Sequence, residues 1–179
     1  SIVRDDGYVY INNNVQGRNT VSAFSVDANG ALSPIAGSPF ATGGLGIGGG
    51  FFAANRVTIG TARKFLFVAN EQTSNISVFS IDQATGVLTL VPGSPFPIGG
   101  ASGFGMSLGV TPDNQFLFAS SSGSNNITVF SIAPNGTLTS ISGSPFPAGG
   151  IPDGIKVSPD GRFLAVALFS ADAVAIFSI

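Results

Sequence analysis

The sequence lacks the side chains on which much metal and nucleophile chemistry depends. It contains no Cys, no His and no Trp. Without thiol or imidazole ligands a zinc or copper site is not expected, and a Ser-His-Asp triad is excluded for these residues. No cofactor is expected either. The absence of Cys also leaves the redox compartment without a direct signature.

Charge is scarce as well. Only 9% of the residues are charged, with seven Lys and Arg against nine Asp and Glu, whereas soluble domains usually have about 25%. No basic cluster is present, so nucleic acids and anionic membrane surfaces are not expected as partners. No run of 18 apolar residues offers a membrane span. Ser, Thr, Asn, Gln and Gly must therefore supply most of the polar surface that contacts water. This composition favours an extracellular or cell-surface protein.

What the sequence does have is a repeat. The segment GSPF occurs at residues 37–40, 93–96 and 143–146. Three other segments align with it. One reads YVYIN, FLFVA, FLFAS and FLAVA, and another reads VSAFSV, ISVFSI, ITVFSI and VAIFSI. The third reads LSPI, LTLV and LTSI. Self-similarity at a period near 50 residues indicates a repeat architecture.

Each repeat unit reads as four short strands. The segments are rich in β-branched and aromatic residues, and turn residues such as PDN, PDG and APNG separate them. No segment has a helical period with caps. The sequence therefore predicts an all-β β-propeller of four-stranded antiparallel blades. We call the strands of a blade A to D, from inner to outer.

Two residue sets are interpreted as architecture. One set is the equivalent strand C phenylalanines, which should point between blades: Phe24, Phe79, Phe130 and Phe177. The other is GSPF, which we expect to close strand D and begin the crossing to the next blade, with its Phe in the seam. Gly permits unusual backbone angles, and Pro removes a donor where no ladder bond is wanted.

The strand count predicts a partial propeller over residues 1–179. Blade 1 covers about 1–40 and begins part-way through strand A, blade 2 covers about 56–96, and blade 3 about 107–146. Blade 4, about 154–179, lacks its outer strand. Open blade flanks would expose large apolar rows. We therefore expect the rest of a longer polypeptide, or further copies of the chain, to cover them; a self-closed four-bladed ring is the third alternative.

The amino-acid sequences of the repeat units resemble those of a known family. SPDGRFLAVA at 158–167, TPDNQFLFASSSGSNNITVFSI at 111–132 and the run from FLFVANEQTSN to PGSPF at 65–96 look like repeats of the lactonase-family propellers. These are seven-bladed proteins grouped with 6-phosphogluconolactonase and YVTN-type surface repeats. The resemblance implies a seven-bladed ring, of which this chain supplies about half. It also implies His, Arg and acidic side chains around the central mouth in lactone-opening members, and this sequence has no His.

Candidate site residues follow from the topology, which puts the strand B to C loops and the strand D to A crossings on one face. The acid–base or substrate-clamping candidates there are Glu71, Asp153 and Arg18, with Arg56 and Lys156 near strand A. The ligand-binding candidates are Asn70, Asn75, Asn125, Asn126 and Asp172. Solvated charge and turn formation are the competing interpretations. On the opposite face, turn aspartates are expected at Asp5, Asp6, Asp82, Asp113 and Asp160.

A glycine motif on the same face needs a separate interpretation. Residues 44–49, GLGIGG, match the dinucleotide pattern G-x-G-x-x-G. That meaning requires a following helix and an acidic residue about 20 positions on, and GFFAANRV follows instead. We therefore expect these glycines to let a long crossing fold back on itself. The same crossing contains Phe51 and Phe52, which are expected over the mouth or against a partner.

Three functions remain open from sequence. The charge-poor, amide-rich face favours a non-catalytic extracellular scaffold that binds a carbohydrate or a protein. The family resemblance favours a lactonase-type hydrolase whose remaining catalytic groups lie outside these residues. The open flanks favour a self-assembling structural protein. The sequence leans away from an enzyme, and a lactone hydrolase is the enzyme it would be.

Overall fold

The computed structural model describes residues 1–5, 7–49, 55–101 and 105–179. They form four antiparallel sheets in chain order. The first contains β1 (Ile2–Asp5), β2 (Tyr8–Asn12), β3 (Gly17–Val26), β4 (Leu32–Pro34) and β5 (Phe40–Gly46). The strands lie in the order β1-β2-β3-β4, and β5 also pairs with β3.

The second and third sheets repeat this plan. The second contains β6 (Val57–Ile59), β7 (Phe65–Asn70), β8 (Asn75–Ile81), β9 (Leu88–Leu90) and β10 (Phe96–Pro97). The third contains β11 (Leu108–Val110), β12 (Phe116–Ser121), β13 (Asn126–Ile132), β14 (Leu138–Ser140) and β15 (Phe146–Pro147). The predicted four-stranded blade is confirmed, with strand D built from two short segments.

The fourth sheet has three strands. These are β16 (Pro152–Val157), β17 (Phe163–Leu168) and β18 (Ala173–Ser178), with a single 3₁₀ turn at Phe169–Ala171 between the last two. In the described part of the chain, nothing pairs with the outer edge of β18. The same part contains no helix long and apolar enough to cross a bilayer.

The inner strands of the four blades share one channel. Residues of β1, β6, β11 and β16 line a cavity of about 540 Å³, and neighbouring inner strands contact one another. This is the arrangement of a propeller, in which strand A of every blade lies nearest the central axis.

The apolar core lies in the seams between blades. Phe79 packs in the seam between blades 1 and 2, Phe130 in the seam between blades 2 and 3, and Phe177 against the seam between blades 3 and 4. Strand alternation puts these side chains on the face toward the preceding blade. Phe24 is half-buried, on a side of blade 1 that no described blade covers. The strand C prediction is therefore confirmed for the three seams present.

The position of GSPF corrects one prediction. The motif does not close strand D but interrupts it, because the Phe begins a second outer segment that pairs with strand C: Phe96 lies opposite Ile76, and Phe146 opposite Ile127. The Gly of each copy has a positive φ, and each Ser-Pro bond is cis. Local turn chemistry predicted only that strand D ends at GSPF, and the strand pairing shows that the outer strand resumes after it.

Candidate functional site

The loop face brings three blades together around one carboxylate. Glu71 follows β7 and is completely buried. Its Oε2 lies 2.9 Å from Nε of Arg56 and accepts a 2.7 Å hydrogen bond from the Asn14 side chain. Its Oε1 accepts a hydrogen bond from the Met106 amide at 3.2 Å. Asn14 follows strand B of the first blade, whereas Arg56 and Met106 lie before strand A of the second and third blades, so a strand B to C loop and two strand D to A crossings meet at Glu71.

Burial sets the acidity of this carboxylate. Loss of water raises the pKa of Glu71, while the Arg56 guanidinium and the hydrogen bonds from Met106 and Asn14 act in the opposite direction. A buried carboxylate without a cation would be far more costly. The Arg56–Glu71 pair therefore keeps a charged group inside the seam, with a pKa displaced toward the range in which general bases work.

A chain of amides continues from this pair between blades 1 and 2. Asn19 donates to Asn12 at 3.0 Å and to Asn70 at 2.9 Å. Asn70 accepts from Thr42 at 2.8 Å and donates to Ser77 at 2.7 Å. All five side chains are buried, and hydrogen bonding within the network compensates for that burial. The amide of Asn70 is thus engaged inside the protein.

The other ligand-binding candidates lie in the strand B to C turns or at the first residue of strand C, since Asn75 begins β8 and Asn126 begins β13. Asn75 accepts a hydrogen bond from Asn70 at 2.8 Å. Asn125 is exposed and has φ 53°, and its neighbour Asn126 accepts from Ser124 at 3.0 Å. Asp172, also exposed, has φ 46°. Left-handed turn positions favour Asn and Asp, so turn geometry accounts for Asn125 and Asp172. The role of all four residues as ligand contacts stays a prediction.

The three acid–base candidates, Glu71, Asp153 and Arg18, lie in different parts of the structure. Arg18 is exposed on β3, opposite Leu45. Asp153 lies on β16 and lines a shallow pocket of about 300 Å³ on blade 4 together with Asp172. Among the described residues, no hydrogen bond or ion pair joins Glu71, Asp153 and Arg18. The cation that pairs with Glu71 is Arg56, which the sequence placed on this face only as a neighbour of strand A.

Sequence reasoning missed Asn12, Asn14 and Asn19 as members of the site. The run NNN at 12–14 was a signal, because three amides directly after a strand are unusual in a chain that needs apolar seams. Their role depends on a partner 57 positions away, since Asn12 donates to the Ala69 carbonyl and Asn14 to Glu71. A contact of that separation has no local sequence pattern.

The glycine motif at 44–49 is part of this assembly. Gly44 and Gly46 lie in β5, so no phosphate-binding turn is formed. A Cβ on Gly44 would lie 2.4 Å from the Asn70 side chain, and one on Gly46 would lie 2.5 Å from the Val15 carbonyl. These glycines permit the crossing to lie directly on the amide network, which agrees with the architectural interpretation. Phe51 and Phe52 lie outside the described residues.

The turn aspartates of the opposite face have the expected contacts. Asp82 accepts from the amides of Ala84 and Thr85 at 3.0 and 2.9 Å. Asp113 and Asp160 likewise accept hydrogen bonds from a nearby hydroxyl and amide, which lower the pKa of both carboxyls. Asp5 ends β1, and Asp6 lies outside the described residues. No group of three His, Cys, Asp or Glu side chains that could hold a metal exists within the described ranges.

Comparison with known proteins agrees with the blade geometry. The family model described as "Lactonase, 7-bladed beta-propeller" matches residues 1–104 and 105–179. No curated protein matches the chain in sequence.

Several solved structures of longer proteins are similar in fold to this chain. A Lactobacillus plantarum protein is 19% identical with a TM-score of 0.69, over 97% of this chain and 52% of its own. A functionally unknown protein from Desulfotomaculum acetoxidans is 21% identical with a TM-score of 0.68, over 100% and 50%. The periplasmic gluconolactonase of Pseudomonas aeruginosa is 18% identical with a TM-score of 0.58, over 96% and 62%. The chain spans about half the length of the first two.

Proposed function

The chain belongs to the lactonase family of seven-bladed β-propellers, and on that basis we propose that it is the half of a lactone-hydrolysing propeller that carries an Arg–Glu pair at the mouth. The observation that carries the proposal is the Arg56–Glu71 pair, buried on the loop face with the pKa of Glu71 raised. The remaining substrate contacts would come from the other half of the ring.

The chemistry assigned to the pair is that of lactone hydrolysis. Glu71 would accept the proton of the attacking water, and the Arg56 guanidinium would stabilise the negative charge that develops on the carbonyl oxygen. The ring C–O bond then breaks, and the leaving alkoxide takes back the proton held by Glu71, which gives the hydroxy acid and restores the carboxylate. The His that the family resemblance implies for lactone-opening members is absent from these residues, so Glu71 is the candidate base on this half.

A second candidate is favoured by one observation, the complete enclosure of Glu71. A carboxylate held by Asn14, Arg56 and the Met106 amide also serves as a connection between three blades. In that case the protein is an extracellular scaffold that binds a neutral carbohydrate or a protein through the loop face. The amide-rich loops around Asn125 and Asn126 would then make the contacts.

Lactone hydrolysis by the native polypeptide distinguishes the two candidates. A pH-stat assay with glucono-δ-lactone, corrected for spontaneous opening, should give saturable turnover that Glu71→Gln reduces about 100-fold or more. Asp160→Asn, on the opposite face, is the matched control and should leave turnover unchanged. Circular dichroism melts must show that both variants are folded. Turnover no faster than the uncatalysed rate, or a folded Glu71→Gln protein with full activity, would refute the hydrolase proposal.

A further inference from the structure

Another cavity lies on the face opposite Glu71, in the seam between blades 2 and 3. It has a volume of about 280 Å³. Its lining comes from the strand A to B turns of both blades, from strand B of blade 2 and from the start of the strand C to D turn of blade 3. The cavity is thus formed by the packing of two four-stranded blades on each other.

In the preceding seam, tyrosine hydroxyls bridge the corresponding space. Those of Tyr8 and Tyr10 donate to carbonyls of the strand C to D turn of blade 2, at 2.7 and 3.0 Å. By strand register the equivalent residues of blade 2 are Phe65 and Phe67, which have no hydroxyl to donate. The seam between blades 2 and 3 therefore has no such bridge, and the cavity lies beside the two phenylalanine rings.

One side of the cavity is apolar. Phe67 is 2% exposed and belongs to the core cluster of the seam, against which Phe65 and Ile132 pack. Ala133 and Pro134 complete this side. An apolar or aromatic group of a ligand would be removed from water here, in contact with both rings.

The rim of the cavity carries one cation and one anion, Lys64 and Asp113. The carboxylate of Asp113 accepts from the Thr111 hydroxyl at 2.6 Å and from the Gln115 amide at 3.0 Å, both at Oδ1, which leaves Oδ2 for a ligand. These bonds, that of Thr111 above all, lower the pKa of Asp113, so the carboxylate is charged at neutral pH. In the described part of the chain, neither Lys64 nor Asp113 forms an ion pair.

Asn114 fixes the spacing of the two turns that carry these charges. Its Oδ1 accepts the Ala62 amide at 3.1 Å, and its Nδ2 donates to the Thr61 hydroxyl at 2.8 Å. A Cβ at Gly60 would collide with the Asn114 side chain, so glycine is required for this approach. The rim is therefore assembled before a ligand arrives, which reduces the cost of binding.

From the two rim charges and the apolar side between them, we propose that this cavity binds a small zwitterion, an α-amino acid with an apolar or aromatic side chain. The Lys64 ammonium binds the carboxylate of the ligand, and Oδ2 of Asp113 accepts a hydrogen bond from its ammonium group. The side chain of the ligand lies against the two phenylalanine rings. The site is on the face opposite Glu71, so it is separate from the proposed hydrolytic site.

The charges favour this class of ligand over simpler ones. An anion without an ammonium group would be repelled by Asp113, and a cation without a carboxylate would be repelled by Lys64. Residues inside a peptide have neither charge on their main chain. Pockets for drug-sized ligands measure about 300–1,000 Å³, so a cavity of about 280 Å³ suits a molecule the size of one amino acid.

Isothermal titration calorimetry of the native polypeptide with L-phenylalanine tests this site. We expect saturable one-to-one binding with a Kd of about 0.1–1 mM, ordinary for a ligand of about a dozen heavy atoms. Phenylpropionate lacks the ammonium group, phenethylamine lacks the carboxylate and glycine lacks the side chain, so each should bind about 3-fold or more weakly. Equal binding of any of these analogues, or no saturable binding of L-phenylalanine at millimolar concentration, would overturn the proposal.

Matched variants locate the site, because blade 4 has an equivalent turn. Asp113→Asn keeps the Oδ1 acceptor and removes the charge, so it should weaken L-phenylalanine binding about 3- to 10-fold. Asp160 holds the turn of blade 4 through the same kind of hydrogen bonds, and Asp160→Asn should leave the affinity unchanged.

A second pair of variants tests the cation. Lys64→Gln should weaken binding by a similar factor, whereas Arg162→Gln, at the equivalent position of blade 4, should not. Circular dichroism melts check the folding of all four variants. If Asp113→Asn unfolds, the exposed Lys64 pair decides the outcome. Equal affinities within the Lys64 and Arg162 pair contradict the assigned site.

Discussion

At the scale of single residues, the ionisation of Glu71 is linked to the seam that encloses it. Its pKa is raised above the ordinary 4.5, chiefly by burial. The folded protein then holds this proton more tightly than the unfolded chain does. The contribution of Glu71 to stability is therefore largest below about pH 4.5 and falls as the pH rises through the raised value.

A comparison with Glu71→Gln isolates that linkage. The free energy of unfolding of the unmodified protein, minus that of the variant, should decrease between pH 4 and pH 8. Urea unfolding at several pH values measures it. A difference that increases with pH would mean that the Arg56 ion pair outweighs desolvation and lowers the pKa of Glu71.

The close approach of Gly44 to Asn70 gives a second residue-scale prediction. A Cβ at Gly44 would lie 2.4 Å from the Asn70 side chain, whereas nothing lies within 4 Å of a Cβ at Gly49. Gly44→Ala should therefore destabilise the protein by about 1–3 kcal/mol through overpacking. Gly49→Ala, the control, should stay within about 0.5 kcal/mol. Chemical denaturation measures both, and equal effects would mean that the crossing does not depend on this contact.

At the scale of elements, the Ser of GSPF connects the two halves of strand D to strand C. Ser94 accepts the Val78 amide at 2.9 Å, and Val78 is completely buried. Ser94→Ala leaves that N–H without an acceptor and should cost about 1–3 kcal/mol.

Ser80 on the same blade provides the control for this change. Its hydroxyl donates to the Thr89 carbonyl at an exposed position, so Ser80→Ala should change the free energy of unfolding by no more than about 0.5 kcal/mol. Thermal and urea unfolding give both values. A Ser94→Ala protein as stable as Ser80→Ala would show that the serine is not the connecting group.

At the scale of the whole molecule, the seams between blades differ in how fully their phenylalanine side chains are buried, with Phe96 9% and Phe146 40% exposed. Phe96→Ala empties a filled seam and should cost about 3–5 kcal/mol. Phe146→Ala removes a side chain that is already 40% exposed and should cost about 1–2 kcal/mol. Urea unfolding compares the two. Equal costs would mean that Phe146 is packed in solution as fully as Phe96.

The architecture could be predicted from the sequence because a propeller repeats one local pattern. Alternation, turn residues and GSPF each recur at the same spacing, so a misjudged strand in one unit is corrected by the others. The strand C phenylalanines in the three seams were predicted correctly for this reason. The interruption of strand D was not, since GSPF read alone has the composition of a turn at the end of a strand.

The candidate site could be predicted from the sequence only in part. Topology placed Glu71 and Arg56 on one face, because the strand B to C loops and the strand D to A crossings both emerge there. Topology does not say which side chains of different blades touch, and Arg18 and Asp153 were plausible for the same reason as Arg56. The choice depends on the rotation and tilt between blades, which no local pattern encodes.

The sequence by itself determined the blade, its strand composition and its membership of a propeller family, since these depend on short-range periodicity and burial of alternate side chains. Only the tertiary structure decided that Glu71 pairs with Arg56, and that Asn14 and Met106 complete the hydrogen bonding of its carboxylate. Those outcomes join residues from different blades. They are fixed by how neighbouring sheets pack rather than by the order of residues within any one of them.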